Sequence, residues 1–366
     1  MPAGRRVFCE DPNFTPPSPE TAADGLPIAA WLHATLKGAR EGEVSLYGLQ
    51  SSAVYSNPPM IRFLGTAIGA LAGLAFGGFL NLCLSRWTAG EGVSDRPGRC
   101  PHCGREPAWW EDVPLASWLL LRGRCRGCHA WIGWRYPIVE LAVGSTWAIA
   151  AWQTMPALYL PGWTRISIFD ALVFGAVKML LCWLLIGLAV LDAERHWLPD
   201  WLTLGGAALG LPVTIMRLAV HWIWEWLPVH WSMDSGLAGH PAYVYDVAIR
   251  WLIGLVAAPS LFVLARGIYR QLRRREGMDL GHTKLVLLLA VWLGLSHTVL
   301  ALILAVFLGA AGALVVLAAR SMIKASSGWE VAKLPLGAFL CIGGIVSGLW
   351  GGPIIVAYLR WCGFVV

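Results

Sequence analysis

From Leu285 to Ala319 the chain runs without a single Asp, Glu, Lys or Arg. A helix that is apolar all round has no polar face to turn to water, so it must be buried or surrounded by lipid. About 20 apolar residues suffice to cross ~30 Å of hydrocarbon, and several other stretches of this chain reach that length. Only closed hydrogen-bonding patterns survive in lipid, so the fold class is all-α and polytopic. The predicted spans are 62–85, 137–156, 167–190, 201–222, 243–266, 284–296, 297–319 and 335–358, eight in number with the sixth short. Composition agrees: 57% of residues are hydrophobic and 14% charged, with a mean hydropathy of +0.59. A soluble domain is excluded, and the lipid bilayer is the first partner implied.

The net charge of +6 describes topology rather than nucleic-acid binding, because the arginines fall in particular loops. The one long polar insertion, 86–136, holds Arg86, Arg96, Arg99, Arg105, Arg122, Arg124, Arg126 and Arg135. Such an excess predicts a cytoplasmic loop, and the family resemblance given below implies that the membrane is the bacterial inner (plasma) membrane. The loops around 192–200, 267–283 and 320–334 then fall on the same side, while 223–242, with no Lys or Arg, falls outside. Of the 22 Trp residues, Trp87, Trp134, Trp163, Trp197, Trp201, Trp222 and Trp251 stand near span ends, where amphipathic rings collect. Residues 1–59 contain no apolar stripe and are expected to be a disordered extension; Met60, directly before the first span, is the expected start of translation. The organisation predicted is thus an extension (1–59), a first span (60–85), a cytoplasmic loop (86–136) and a seven-helix domain (137–366).

Within the loop, Cys100-Pro101-His102-Cys103 and Cys125-Arg126-Gly127-Cys128 are two Cys-x-x-Cys pairs separated by 21 residues. Two such pairs can give four thiolates to one tetrahedral Zn²⁺. A reducing compartment disfavours disulfides, and a loop this small needs a staple to fold. Four Cys ligands leave no open position, so the zinc is expected to be structural. A redox dithiol pair and unliganded thiols are the other readings. Cys182, Cys341 and Cys362, in or beside spans, are most simply apolar fillers.

Carboxylates inside spans are expensive and need a reason. Asp192 ends the apolar run from Leu180 and is the candidate functional carboxylate. Asp200 is expected to cap the following helix, and Glu140 and Asp170 to complement positive helix ends. On the same side lies Glu276-Gly277-Met278-Asp279-Leu280-Gly281-His282-Thr283-Lys284-Leu285, which opens the long apolar run. Asp279 and His282 lie within one helical turn of each other if the helix begins there, and Lys284 can snorkel to the interface.

These residues, taken in order, resemble the type IV prepilin leader peptidases of pilus assembly and type II secretion. The resemblance runs from Met60 to about Gly351. It rests on Gly78-Phe79-Leu80-Asn81 with Arg86, the double Cys-x-x-Cys, Asp112-Val113-Pro114, and Ser117-Trp118-Leu119. It continues through Leu121 to Cys125, Arg135-Tyr136-Pro137, Val139-Glu140-Leu141, Asp192, and Leu198-Pro199-Asp200. The last matches are Glu276-Gly277-Met278, Lys284-Leu285 and Leu334-Pro335-Leu336-Gly337. The resemblance implies eight transmembrane helices, a zinc loop and an intramembrane aspartic peptidase. In that chemistry two Asp side chains share a proton, activate water and cut prepilins or pseudopilins after the leader's Gly. It further implies S-adenosylmethionine-dependent N-methylation of the new terminus, although no glycine-rich cofactor loop marks such a site.

Asp192 matches the first catalytic Asp, whereas His282 stands where the second is expected and Asp279 where the family usually has Gly. A His beside Asp192 is expected to form an ion pair and remove the proton-sharing arrangement. Three readings follow: Asp279 rotates in to restore the dyad, a His/Asp pair retains water activation, or proteolysis is lost and methyl transfer or prepilin binding as a scaffold remains. The oligomeric state is not legible in the sequence.

Overall fold

A computed structural model of the chain describes residues 59–89, 100, 102–155, 165–226, 241–273, 280–323 and 335–363. Every predicted span falls on a helix. Helix α1 is Pro59–Ala89. After a 3₁₀ turn at Trp109–Asp112 and the short α2 (Ala116–Leu120) come α3 (Arg135–Thr154), α4 (Arg165–Arg195), α5 (Asp200–Trp226), α6 (Pro241–Arg273), α7 (Leu280–Ile323) and α8 (Leu336–Trp361). Five of these, α1, α4, α6, α7 and α8, contain stretches long and apolar enough to cross a membrane among the described residues, against the eight crossings read from the sequence. The described apolar part of α5, Asp200–Met216, is shorter. Helix α7 has 44 residues, about 66 Å of helix at 1.5 Å per residue, twice the hydrocarbon thickness. Gly294, with φ 76° and ψ 179°, breaks it close to the boundary expected between two spans. The extension before Pro59 lies outside the described residues.

Lipid gives helices no hydrophobic reason to associate, so the seams are built from small residues and interhelical hydrogen bonds. On α1, Gly65, Gly69, Gly73 and Gly77 recur every fourth residue and form one flat face. A Cβ built on each would lie 2.6 Å from Met155 Sδ, 2.8 Å from Ala151 Cβ, 2.8 Å from Gly144 Cα and 2.7 Å from Glu140 Cα. The order of partners shows α1 and α3 running antiparallel. Four indoles tie further pairs: Trp147 donates to the carbonyl of Met179 at 2.9 Å, Trp183 to Phe76 at 3.1 Å, Trp292 to Gly206 at 2.9 Å and Trp251 to Val291 at 3.0 Å. Trp251, expected at the water boundary, thus serves as an interhelical donor, because a buried indole N–H must find a carbonyl. The fully buried centre joins Leu185, Leu188 and Leu191 of α4 with Leu285, Leu288 and Leu289 of α7 and Leu340 of α8. This apolar plug ends one residue short of Asp192.

The glycine seam yields a prediction. In Gly73→Ala the new Cβ meets Gly144 Cα at 2.8 Å and the Val143 carbonyl at 2.9 Å, both backbone atoms that cannot rotate away. We expect a loss of about 1–3 kcal/mol, read as a lower unfolding temperature in detergent. Gly267→Ala, with nothing within 4 Å of its Cβ, should leave that temperature unchanged or higher.

Candidate functional site

Helix α4 carries Asp192 to the end of its apolar run and closes there. His196 N donates to the Asp192 carbonyl at 2.9 Å, and His196 adopts φ 50°, which terminates the helix. Four residues later Asp200 opens α5. The Asp192 side chain is 3% exposed. Its Oδ2 accepts the Ala338 amide at 2.8 Å, and the carboxyl group lies flat over Gly337, where a Cβ would come 2.8 Å from both Cγ and Oδ2. The glycine is required because the carboxylate occupies the space of its missing side chain. The start of α8 is therefore part of the site. The sequence had offered Gly337 as a motif residue without a role.

Asp192, His196, Trp197, Leu198, Asp200, Gly281 and His282 line one cavity of about 260 Å³. The start of α7 and the α4–α5 turn face each other across it. A Cβ on Gly281 would reach Leu198 Cβ at 3.3 Å. Both ring nitrogens of His282 and the Thr283 hydroxyl are buried without a hydrogen-bond partner. The ion pair expected between His282 and Asp192 is thus not made: the two share a cavity without bonding to each other. Asp200, expected as a helix cap, instead pairs its carboxylate with Lys284 across the same opening. Lys284, expected to reach toward the interface, makes this pair with an Asp200 side chain that is 65% exposed. Asp279 lies outside the described residues, and so does the side chain of Asp170.

The loop docks onto these helices through buried polar bonds. Asn81 Nδ2 donates to the Tyr136 carbonyl at 3.0 Å, and Leu115 N donates to Glu140 Oε2 at 2.8 Å. Glu140, expected to offset a helix end, is buried at 8% exposure and holds the loop. Arg135 Nη1 reaches Glu194 Oε2 at 3.2 Å, tying the loop's exit to the turn after Asp192.

The sulfur atoms of Cys100, Cys103, Cys125 and Cys128 all lie within 4.8 Å of one another. The Cys100–Cys128 and Cys103–Cys125 separations are 3.7 and 4.0 Å, close to the ~3.8 Å edge of a tetrahedron with Zn–S bonds of about 2.3 Å. The two knuckles share one backbone design. Cys100 N donates to the Arg105 carbonyl and Gly104 N to that of Cys100; Cys125 N donates to Ala130 and His129 N to Cys125. Gly104 and His129 occupy equivalent positions, with φ 67° and 58°. The backbone amides of Cys128 and Gly127 draw the Cys125 thiol down to about 6. Cys128 goes the other way, to about 11. The Ala130 amide favours its thiolate, but desolvation and the three neighbouring thiols outweigh that. Four thiolates so close repel one another, and a bound dication removes the conflict. The cluster can hold a metal, and its geometry fits zinc.

Two family models cover most of this architecture. Residues 71–154 match the bacterial peptidase A24 N-terminal domain, and residues 179–314, spanning both Asp192 and His282, match the type IV leader peptidase family. The chain is 32% identical over 262 residues to the prepilin leader peptidase/N-methyltransferase of Stutzerimonas stutzeri, covering 72% of this chain and 74% of that relative. The chain belongs to the type IV leader peptidase family. Among other relatives carrying that name, the Pseudomonas aeruginosa protein is 31% identical over 80% of this chain and 93% of its own length. The Aeromonas hydrophila protein is 29% identical over 79% and 92%. No solved structure matches the chain significantly. For this leader peptidase family member, metal analysis of the purified chain should find about one zinc per molecule. Cys100→Ser with Cys103→Ser should abolish it, while Cys182→Ser, remote from the cluster, should leave it in place.

Proposed function

We propose that this protein is a prepilin leader peptidase that cleaves the leaders of type IV prepilins or type II secretion pseudopilins at the cytoplasmic face of the bacterial inner membrane. The observation that carries the reading is the pairing in one cavity of a buried, amide-held carboxylate, Asp192, with an imidazole, His282, whose two nitrogens are both unpartnered. Asp192 is the general base: fixed by Ala338 N through Oδ2, it takes a proton from a water lodged against the scissile carbonyl. His282 is the second group. One ring nitrogen, carrying its proton, donates a hydrogen bond to the carbonyl oxygen as charge develops there, and the proton that Asp192 took from water passes to the departing amine as the C–N bond breaks, which returns Asp192 to its carboxylate. The unmade Asp192–His282 bond supports this role, since a direct ion pair would occupy the atoms that the chemistry needs.

Zn²⁺ on Cys100, Cys103, Cys125 and Cys128 is structural in this reading: it closes the two knuckles and so holds Leu115 and Arg135 to the helices that carry the site. Methylation of the new N-terminus with S-adenosylmethionine follows from the relatives' names. No residue is assigned to that cofactor here.

Cleavage of a leader-bearing prepilin by the purified protein tests the assignment. Asp192→Asn should slow it by about 10²–10⁴-fold, and His282→Gln by a similar factor. Gly337→Ala, which pushes a Cβ into the carboxylate, should cost about 10²-fold with zinc content unchanged. Loss of cleavage in Asp279→Asn, with His282→Gln unaffected, would transfer the second role to Asp279. Absence of cleavage by the unaltered protein, with the prepilin still bound or methylated, would overturn the peptidase reading in favour of a scaffold or methyltransferase.

A further inference from the structure

The loop presents an apolar ridge that neither the metal cluster nor the catalytic cavity uses. Leu119 and Leu120, in the single turn of α2, are 67% and 76% exposed, and Trp131 and Trp134 are 53% and 59% exposed. The tryptophans belong to a three-ring cluster with Trp118, whose centroids lie 4.6 Å from Trp134 and 6.0 Å from Trp131. Trp118 Nε1 donates to the Ile132 carbonyl at 3.2 Å, and Gly123 packs beneath the rings. The exposed rings are therefore held in place by the fold.

Two observations identify what covers this ridge. First, it is continuous with the outward face of α3. Trp134 precedes that helix, and Ile138 and Leu141, 59% and 53% exposed, follow at helical spacings of four and three on the same side. Helix α3 packs along α1, which is long and apolar enough to cross a membrane; a stripe on its outward face then meets lipid, with Trp131 and Trp134 where an aromatic belt meets the headgroups. Second, Arg122 and Arg124 are exposed beside the ridge. Neither has an acidic partner among the described residues, whereas Arg105 and Arg126 pair with Glu111 and Arg135 with Glu194.

We infer that the ridge of Leu119, Leu120, Trp131 and Trp134 lies in the headgroup region of the bilayer, and that Arg122 and Arg124 bind anionic lipid there. The inference rests on the membrane-boundary placement of the loop and is independent of whether the site cleaves prepilin. It gives the loop a second anchor, apolar and electrostatic, beside the polar bonds to Asn81 and Glu140.

The test uses the full chain in nanodiscs of phosphatidylcholine with one-quarter phosphatidylglycerol, carrying the photocrosslinker benzoylphenylalanine in place of Leu120, Leu119 or, as a control in the polar first knuckle, His102. Irradiation should add lipid mass at 120 and 119 and not at 102. The ratio of phosphatidylglycerol to phosphatidylcholine among the adducts should exceed the bulk ratio by about fivefold. Adding Arg122→Gln and Arg124→Gln should return it to the bulk ratio while lipid adducts persist. No lipid adduct at either leucine, adducts to a second copy of the chain or to prepilin instead, or equal labelling at 102 would overturn the inference. Recovery of the two lipids in their bulk ratio would overturn its electrostatic part.

Discussion

A carboxylate at the edge of the hydrocarbon has to be held by the protein, and the contact between Asp192 and the start of α8 does this. Oδ2 takes the Ala338 amide while the group lies over Gly337. An amide in the first turn of a helix has no intrahelical acceptor and carries the positive end of the helix dipole, so α8 begins with a donor suited to an anion. The contact sets demands on the rest of the fold. Helix α4 must stop within a turn of Asp192, which His196 accomplishes, and α8 must start at the same depth, which the buried leucines of α4, α7 and α8 enforce. Those leucines fill the space below, and among the described residues the carboxyl group opens onto the cavity.

The metal loop is connected to this arrangement by a chain of polar contacts. The thiol cluster fixes the two knuckles; the 3₁₀ turn and α2 bring Leu115 N to Glu140; and Glu140 sits against Gly77 at the end of the α1 seam. Arg135, where the loop rejoins α3, pairs with Glu194, two residues beyond Asp192. The thiol cluster is therefore tied to the turn that carries Asp192, although it is not part of the cavity lining. Buried polar contacts of this kind are costly to leave half made, so the loop and the helix ends are expected to order together.

Much of this was legible in the sequence. Apolar runs located the helices because lipid penalises every interruption, two Cys-x-x-Cys pairs named the thiol cluster, and Asp192 stood out because an acid at the end of such a run needs a reason. What was not legible depends on contacts between distant segments. Gly337 and Ala338 have no reactive side chain, and what matters is a missing Cβ and a backbone N–H lying well over a hundred residues from the carboxylate. Glu140, Asp200 and Lys284 were each assigned a local role at a helix end or interface. Each takes a partner from another element, Glu140 in a buried position and Asp200 with Lys284 in a largely exposed pair.

In the proposed reading His282 stands where the resemblance expects a second acid, and the two pairs can be compared by charge and by donors. Two carboxyl groups sharing one proton carry a single negative charge, with one O–H to donate and one oxygen to accept. Asp192 ionised beside a neutral imidazole carries the same charge, and the imidazole itself offers one N–H donor and one nitrogen acceptor. A neutral histidine can therefore reproduce the proton inventory of the protonated acid without relying on repulsion between two carboxylates to keep one of them protonated. An imidazolium in direct contact would not, because it has no acceptor left and would fix Asp192 in an ion pair. In the structure both ring nitrogens lack a hydrogen-bond partner and the two side chains are unbonded across a shared cavity. On this account the substitution preserves the balance of donors and acceptors in the dyad while changing the element that carries the proton from oxygen to nitrogen.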